Sequence, residues 1–261
     1  MEYTPVKNRI NQFITHHLLR KFFYISLDCF ILRQWYVKKY LKKYLPPRQN
    51  FLFYDAGSGF CQYSDYVLKR YSQANVVAVD LKDDYLVYYD KYIQDKYSNR
   101  FSYIQADLEN FSLPTKRADF ILAIDILEHI IHDDEALKNF SKSMKDQGYL
   151  IISTPSNAKQ TALFTAEHVR NGYSLAGLSE QLNRQGFTIV ECEYSYGFWG
   201  SIYWFLMMYN SLIILNRGKI MMGLLPIYIL IVYLPSLFAM LLDYWGKNKS
   251  GKGIILVAQK K

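Results

Sequence analysis

Cysteine is scarce in this chain, and its three copies, Cys29, Cys61 and Cys192, are too widely spaced for a metal-ligand pattern. An odd count of that kind, with no apolar core or small-residue cleavage site in Met1–Ile14, excludes a disulfide framework and points to a reducing, cytosol-facing compartment. Internal repeats and low-complexity linkers are also missing. Beyond residue 50 no excess charge of either sign exists, because 21 basic residues face 21 acidic ones. Charge is absent altogether from two runs of 23 residues, Tyr194–Asn216 and Ile220–Leu242, separated only by Arg217-Gly218-Lys219.

The net charge of +8 therefore resides in residues 1–50, where ten Lys/Arg meet two acids. A local basic patch attracts nucleic acid or an anionic membrane face. Between Arg33 and Leu45, Tyr36, Val37, Tyr40, Leu41, Tyr44 and Leu45 share one helical face and Lys38, Lys39, Lys42 and Lys43 the other. Pro46-Pro47 stops the helix. Its lysine face is either solvated, on a helix capping the core, or laid on anionic lipid. Aromatics line the apolar face rather than interleave with the lysines, which argues against nucleic acid.

From Asn50 to Ser195, apolar runs at 51–54, 76–79, 101–104, 119–124, 148–153 and 187–194 alternate with helix-like or loop segments. That rhythm predicts an α/β fold, a Rossmann-like doubly wound and mostly parallel sheet of about seven strands, with 253–258 as the last. Ligands of such sheets sit beyond the carboxyl ends of the strands. The uncharged pair falls before the final strand as an insertion. Each run approaches the ~30 Å of a bilayer core at ~1.5 Å per residue. Two crossings would put Arg217 and Lys219 on the far side, against the positive-inside tendency, and Pro226 and Pro235 are expected to interrupt the second helix. Shallow monotopic insertion at the inner membrane face, or a greasy lid, is favoured over a full hairpin or apolar helices buried against the sheet or in a dimer. The chain divides into basic amphipathic N-terminal helices (1–47), a ligand-binding domain (48–195 with 250–261) and the hydrophobic insertion (196–249).

Four spaced features carry the chemistry. Asp55-Ala56-Gly57-Ser58-Gly59 follows the first strand, where glycine lets backbone N–H groups approach a ligand. Asp55 would repel a phosphate there and suits a ligand with a cationic end. Asp80 ends the second strand about twenty residues on, where an acid accepts from ribose hydroxyls. Asp107 follows the third strand, and Asp125-Ile126-Leu127-Glu128-His129 follows the fourth. Each acid alone can serve merely to cap the next helix.

Taken in order, these features resemble the class I S-adenosylmethionine-dependent methyltransferases, in particular the small-molecule group with the quinone methyltransferases, over about residues 50–195 and the final strand. The resemblance implies S-adenosylmethionine as cofactor. Asp55, Gly57 and Gly59 would surround its methionine moiety, Asp80 its ribose hydroxyls and Leu81 its adenine. Asp107 would face the adenine amino group, Leu108 would donate a backbone N–H to the ring, and Asp125 would start the segment beneath the methyl. Cys61 departs from the pattern where many members have a third glycine. Asp125, Glu128 and His129 resemble a D/E-x-x-E-H segment that can hold a divalent ion, although Glu and His there more often brace a helix, and no metal is assigned. His129 and His168 are candidate bases, since imidazole titrates nearest neutral pH. Arg170 and Tyr173 match a segment that borders the acceptor pocket in related enzymes. The expected activity is methyl transfer, with O-methylation slightly favoured, to a hydrophobic membrane-associated acceptor such as a lipid, prenylated quinone or phenol, or long-chain pigment. A non-catalytic membrane module of the same fold is the alternative. A nicotinamide-dependent oxidoreductase is weaker, because Gln62 stands where G-x-G-x-x-G needs glycine.

Overall fold

The computed structural model describes residues 17–114, 117–158, 168–217 and 219–261. The part of the expected N-terminal region before His17, and Glu167 beside the candidate base His168, lie outside them. Seven strands, β1 (Phe51–Ala56), β2 (Ala74–Asp80), β3 (Phe101–Gln105), β4 (Ala118–Ile124), β5 (Met144–Pro155), β6 (Phe187–Ser195) and β7 (Gly253–Lys260), form one sheet in the order β3-β2-β1-β4-β5-β7-β6. β1 to β5 pair in parallel, and only β7 runs antiparallel, between β5 and β6.

Strand periodicity divides the core. Phe53, Leu122, Ile151 and Ile255 point to one face, and their neighbours Tyr54, Ile121, Leu150 and Leu256 point to the other. The first face is covered by α2 (Leu32–Tyr44), α3 (Gln62–Arg70) and α4 (Asp83–Tyr97), through side chains such as Tyr40, Leu68 and Tyr89. The second face is covered by α5 (Asp133–Ser143) and α6 (Leu175–Arg184), through Phe140 and Leu182. A further N-terminal helix, α1 (His17–Phe30), packs against the first cluster through Phe23, Tyr24, Leu27 and Phe30.

The apolar face predicted for α2 is buried at Tyr36, Val37, Tyr40 and Leu41. Three of its lysines are turned onto acids: Lys38 onto Asp28, Lys39 onto Glu193 at 2.8 Å and Lys43 onto Glu191. Opposite charges on α1 and the β6 edge therefore engage three of the four lysines that the sequence offers to solvent or lipid.

Between β6 and β7 the chain forms α7 (Phe198–Tyr203), a π-helical turn (Trp204–Tyr209), α8 (Asn210–Asn216) and α9 (Lys219–Trp245). Phe198–Leu215 and Gly223–Trp245 are long and apolar enough to cross a membrane, and only 17% and 22% of these windows are buried. Contrary to expectation, Pro226 and Pro235 do not interrupt α9, which runs through both for 27 residues. A proline removes one backbone donor, and packing along the helix offsets that loss. Val232, Ser236, Ala239, Met240 and Asp243 are buried on one stripe, and Tyr228 donates to the Leu206 carbonyl at 2.6 Å. The Asp243 carboxylate, fully buried, accepts from Tyr196 N (3.1 Å), Gly197 N (2.9 Å), Gly200 N (2.8 Å) and the Tyr36 hydroxyl (2.9 Å), which fastens the end of α9 to the start of α7.

Candidate active site

The parallel register brings four strand ends to one edge. Ala56 pairs with Val79 and Ala123, Asp80 with Gln105, and Ile124 with Ser153. The predicted residues Asp55, Gly57, Gly59, Asp80, Asp107 and Asp125 therefore converge beyond the carboxyl ends of β1 to β4, at the point where the strand order reverses.

The glycine loop is held by the neighbouring strand. Gly57 N and Ser58 N both donate to the Val79 carbonyl, at 2.8 and 3.1 Å. Gly57 has φ +73° and Gly59 φ +50°, in the left-handed region that favours glycine. A Cβ on Gly57 would lie 2.7 Å from Ile126 Cγ1, so glycine there also permits close approach of the β4 loop. A Cβ on Gly59 would meet nothing within 4 Å, so the loop presents an open backbone surface there. Cys61, where a third glycine was expected, is buried and left-handed at φ +57°. The structure thus shows what a glycine would relieve at that position.

Asp55 is 3% exposed and accepts from Ser64 Oγ at 2.6 Å. Burial pushes its carboxyl up to about 7, against the pull of the Ser64 bonds. Asp80 accepts from Gly59 N at 2.8 Å through one oxygen and from Lys82 N at 3.0 Å through the other. It thus bridges the loop to β2, and a carboxylate with two donors keeps further acceptor capacity. Leu81 beside it is 66% exposed on the rim. Asp107 organises its own turn, accepting from Glu109 N at 3.0 Å and Asn110 Nδ2 at 3.2 Å, and Leu108 is buried. Asp80 and Asp107 thus accept local N–H bonds in turns without capping a helix, in addition to their placement at the strand ends.

Asp125 is left-handed at φ +47°, and its N–H donates to the Ser153 carbonyl at 2.8 Å. Its carboxylate forms an ion pair with Arg33, at the start of α2. Arg33 N in turn donates to the Tyr196 hydroxyl at 3.2 Å. Neither Arg33 nor Tyr196 was a candidate from sequence. Arg33 lies among lysines in a basic stretch and Tyr196 in an apolar one, and only the packing of α2 over the strand ends singles them out.

On the other side of Asp125, a 3-10 turn (Leu127–His129) puts Glu128 into the interior at 1% exposure. Burial raises the Glu128 carboxyl above the usual range, opposed by neighbouring His129 and by Thr154, whose hydroxyl donates to it at 3.2 Å. Val169 N donates to the Glu128 carbonyl at 2.9 Å, so the two candidate bases meet, with the His129 and His168 rings 4.6 Å apart. Glu128, His129 and His168 offer donor atoms that all lie within 4.8 Å of one another, a set suited to a divalent ion. Arg170 and Tyr173, expected to border the acceptor pocket, are tied to the start of α5. Arg170 pairs with Asp133 and donates to Tyr173 Oη at 2.7 Å, and Tyr173 donates to Asp133 at 2.7 Å. These bonds brace the loop that carries His168 against the start of α5.

Residues 54–152 match the sequence family described as a methyltransferase domain. No curated protein matches the chain. Among solved structures, phosphoethanolamine N-methyltransferase 2 of Haemonchus contortus, in complex with S-adenosyl-L-methionine, superposes with a TM-score of 0.60 at 15% identity, over 84% of this chain and 51% of that one. An S-adenosylmethionine-dependent methyltransferase of Mesorhizobium loti gives 0.54 at 16%, over 85% and 96%. The [4+2]-cyclase SpnF gives 0.58 at 16%, over 87% and 80%. Likeness at such low identity shows the fold. Residues 54–152 are thus similar to a methyltransferase domain, and the sheet has the fold seen in S-adenosylmethionine-dependent methyltransferases. The part of the chain that matches is the part that carries the glycine loop and the first strand ends.

Proposed function

We propose that the enzyme methylates a hydrophobic small molecule that it takes from a membrane surface, with an oxygen as the acceptor atom. The observation that carries this reading is the one-sided exposure of α9. Its buried stripe follows the domain, while Leu230 (79% exposed), Leu234 (70%), Ile231 (69%) and Phe238 (60%) face outward. A helix fastened lengthwise to the domain, with an apolar outer face, suits shallow one-sided insertion rather than a crossing.

Asp55, Gly57 and Gly59 would hold the methionine end of the cofactor, Asp80 the ribose hydroxyls, Leu81 and Asp107 the adenine, with Leu108 contributing its backbone N–H. The open face at Gly59 and the exposed Leu81 fit a ligand laid along this edge. Bound cofactor supplies a methyl that is already electrophilic on a cationic sulfur, so the protein chiefly aligns the acceptor. His129 and His168, whose rings are adjacent, would take the proton from an acceptor hydroxyl.

The test is transfer of labelled methyl from S-adenosylmethionine to a total membrane lipid extract, with a water-soluble metabolite extract in parallel. Label in the organic phase is expected. Label only in the aqueous extract would refute the membrane acceptor. Asp80→Ala should weaken cofactor binding by roughly 1.5–3 kcal/mol, through loss of charged hydrogen bonds. Unchanged affinity by calorimetry would refute the ribose assignment.

A further inference from the structure

Helix α1 is inside out for a helix bordered by water. Arg20 is fully buried, with its guanidinium 5.6 Å from the Tyr92 ring centre and 3.4 Å from the Tyr24 hydroxyl. Phe22 is 67% exposed and Ile25 48%, with Leu18 also exposed one turn earlier. Positions 18, 22 and 25 share one face of a helix. The stripe leads to the end of α1, where the Phe30 and Tyr233 rings meet edge-on at 5.3 Å. Tyr233 stands in the middle of α9, between the exposed pairs Leu230/Ile231 and Leu234/Phe238. Two separate parts of the chain thus present one joined apolar surface.

We propose that α1 and α9 together form a docking face for an anionic phospholipid bilayer, and that it opens onto the reaction site at the α1–α2 junction. The inference rests on the membrane reading above and assigns its surface. A bilayer is the occupant because α9 ends in exposed Trp245 followed by exposed Lys247 and Lys249, and exposed Lys21 adjoins Phe22 on α1. An apolar band edged by tryptophan and lysine matches the acyl–headgroup boundary. The lysines of α2 do not define the face, because Lys38, Lys39 and Lys43 are engaged by Asp28, Glu193 and Glu191. A chain of packed contacts connects this face to the site. Tyr203 donates to the Phe30 carbonyl, its ring lies 6.2 Å from that of Tyr196, and the Tyr196 hydroxyl accepts from Arg33 N beside Asp125.

The experiment is flotation of the full-length protein with vesicles of phosphatidylcholine and phosphatidylglycerol. Phe22→Glu/Ile25→Glu is compared with Val190→Glu, which places one such charge at a 46%-exposed position on the β6 edge. The double variant should partition roughly tenfold or more weakly, since two apolar side chains lose their burial, with S-adenosylmethionine affinity unchanged. Val190→Glu should float like the wild type. If wild type floats and the double variant floats equally, α1 is not part of the face and the proposal fails, while the membrane reading stands. Failure of the wild type to float overturns both. Should the double variant lose cofactor binding, Phe22→Ser is measured in its place against the same two outcomes. A stripe that instead changes the oligomeric state by light scattering, with flotation unaltered, is a self-association face, and the proposal falls.

Discussion

Asp55 offers the most direct link between the fold and cofactor binding. Its carboxyl is pushed up to about 7 by burial, from an ordinary value of 3.8. At pH 6 about nine-tenths of the free protein therefore carries a proton there. If the cofactor's ammonium end binds beside this loop, it favours the carboxylate, and binding releases close to one proton. Apparent affinity should then rise about tenfold between pH 6 and pH 8 and flatten above the Asp55 value. Calorimetry at pH 6 in two buffers of different ionisation enthalpy measures the release. The observed enthalpy should differ between them by nearly the full buffer difference, and Asp55→Asn should abolish that difference. Stability of the unliganded enzyme follows the opposite course. A raised folded-state value means that the stabilisation is fully present below about pH 3.8 and is lost as pH rises through about 7. A displacement of this size corresponds to an order of 4 kcal/mol. Buffer-independent enthalpy at pH 6, or a proton release that survives in Asp55→Asn, would refute the reasoning.

Two substitutions test the scaffold. Gly57→Ala places a Cβ 2.7 Å from Ile126 Cγ1 at φ +73°, so left-handed strain of ~1–2 kcal/mol and overpacking of ~1–3 kcal/mol should both appear in urea denaturation. Addition of Ile126→Ala should recover the overpacking share only, and a loss below ~1 kcal/mol for Gly57→Ala would contradict the close contact between the two loops. Asp243→Ala strands the Tyr196, Gly197 and Gly200 N–H groups, while the Tyr36 hydroxyl keeps the residue-243 carbonyl as acceptor at 2.7 Å. A loss of at least ~3 kcal/mol and faster proteolysis within 198–245 are expected. Asp243→Asn, which keeps an acceptor oxygen, should lose less, and equal loss in both variants would point to charge rather than hydrogen bonding.

The alternation of apolar runs with helical segments was enough to define the sheet, because parallel strands buried on both faces must be nearly continuous in hydrophobicity. The shared edge of the glycine loop and the acids at 55, 80, 107 and 125 was legible for a related reason: each lies at or just beyond the end of a strand, and β1 to β4 run parallel. The uncharged runs likewise marked the insertion. Tertiary structure alone decided what crosses between distant segments. It turned the α2 lysines onto Asp28 and β6, carried α9 unbroken through Pro226 and Pro235, set Arg33 against Asp125 and brought His129 to His168. It also buried Arg20 and left Phe22 outside, against their polarity. Local pattern specifies which face of an element is apolar, but which partner meets that face depends on docking between segments that are separate elements of the chain, and periodicity contains no record of it.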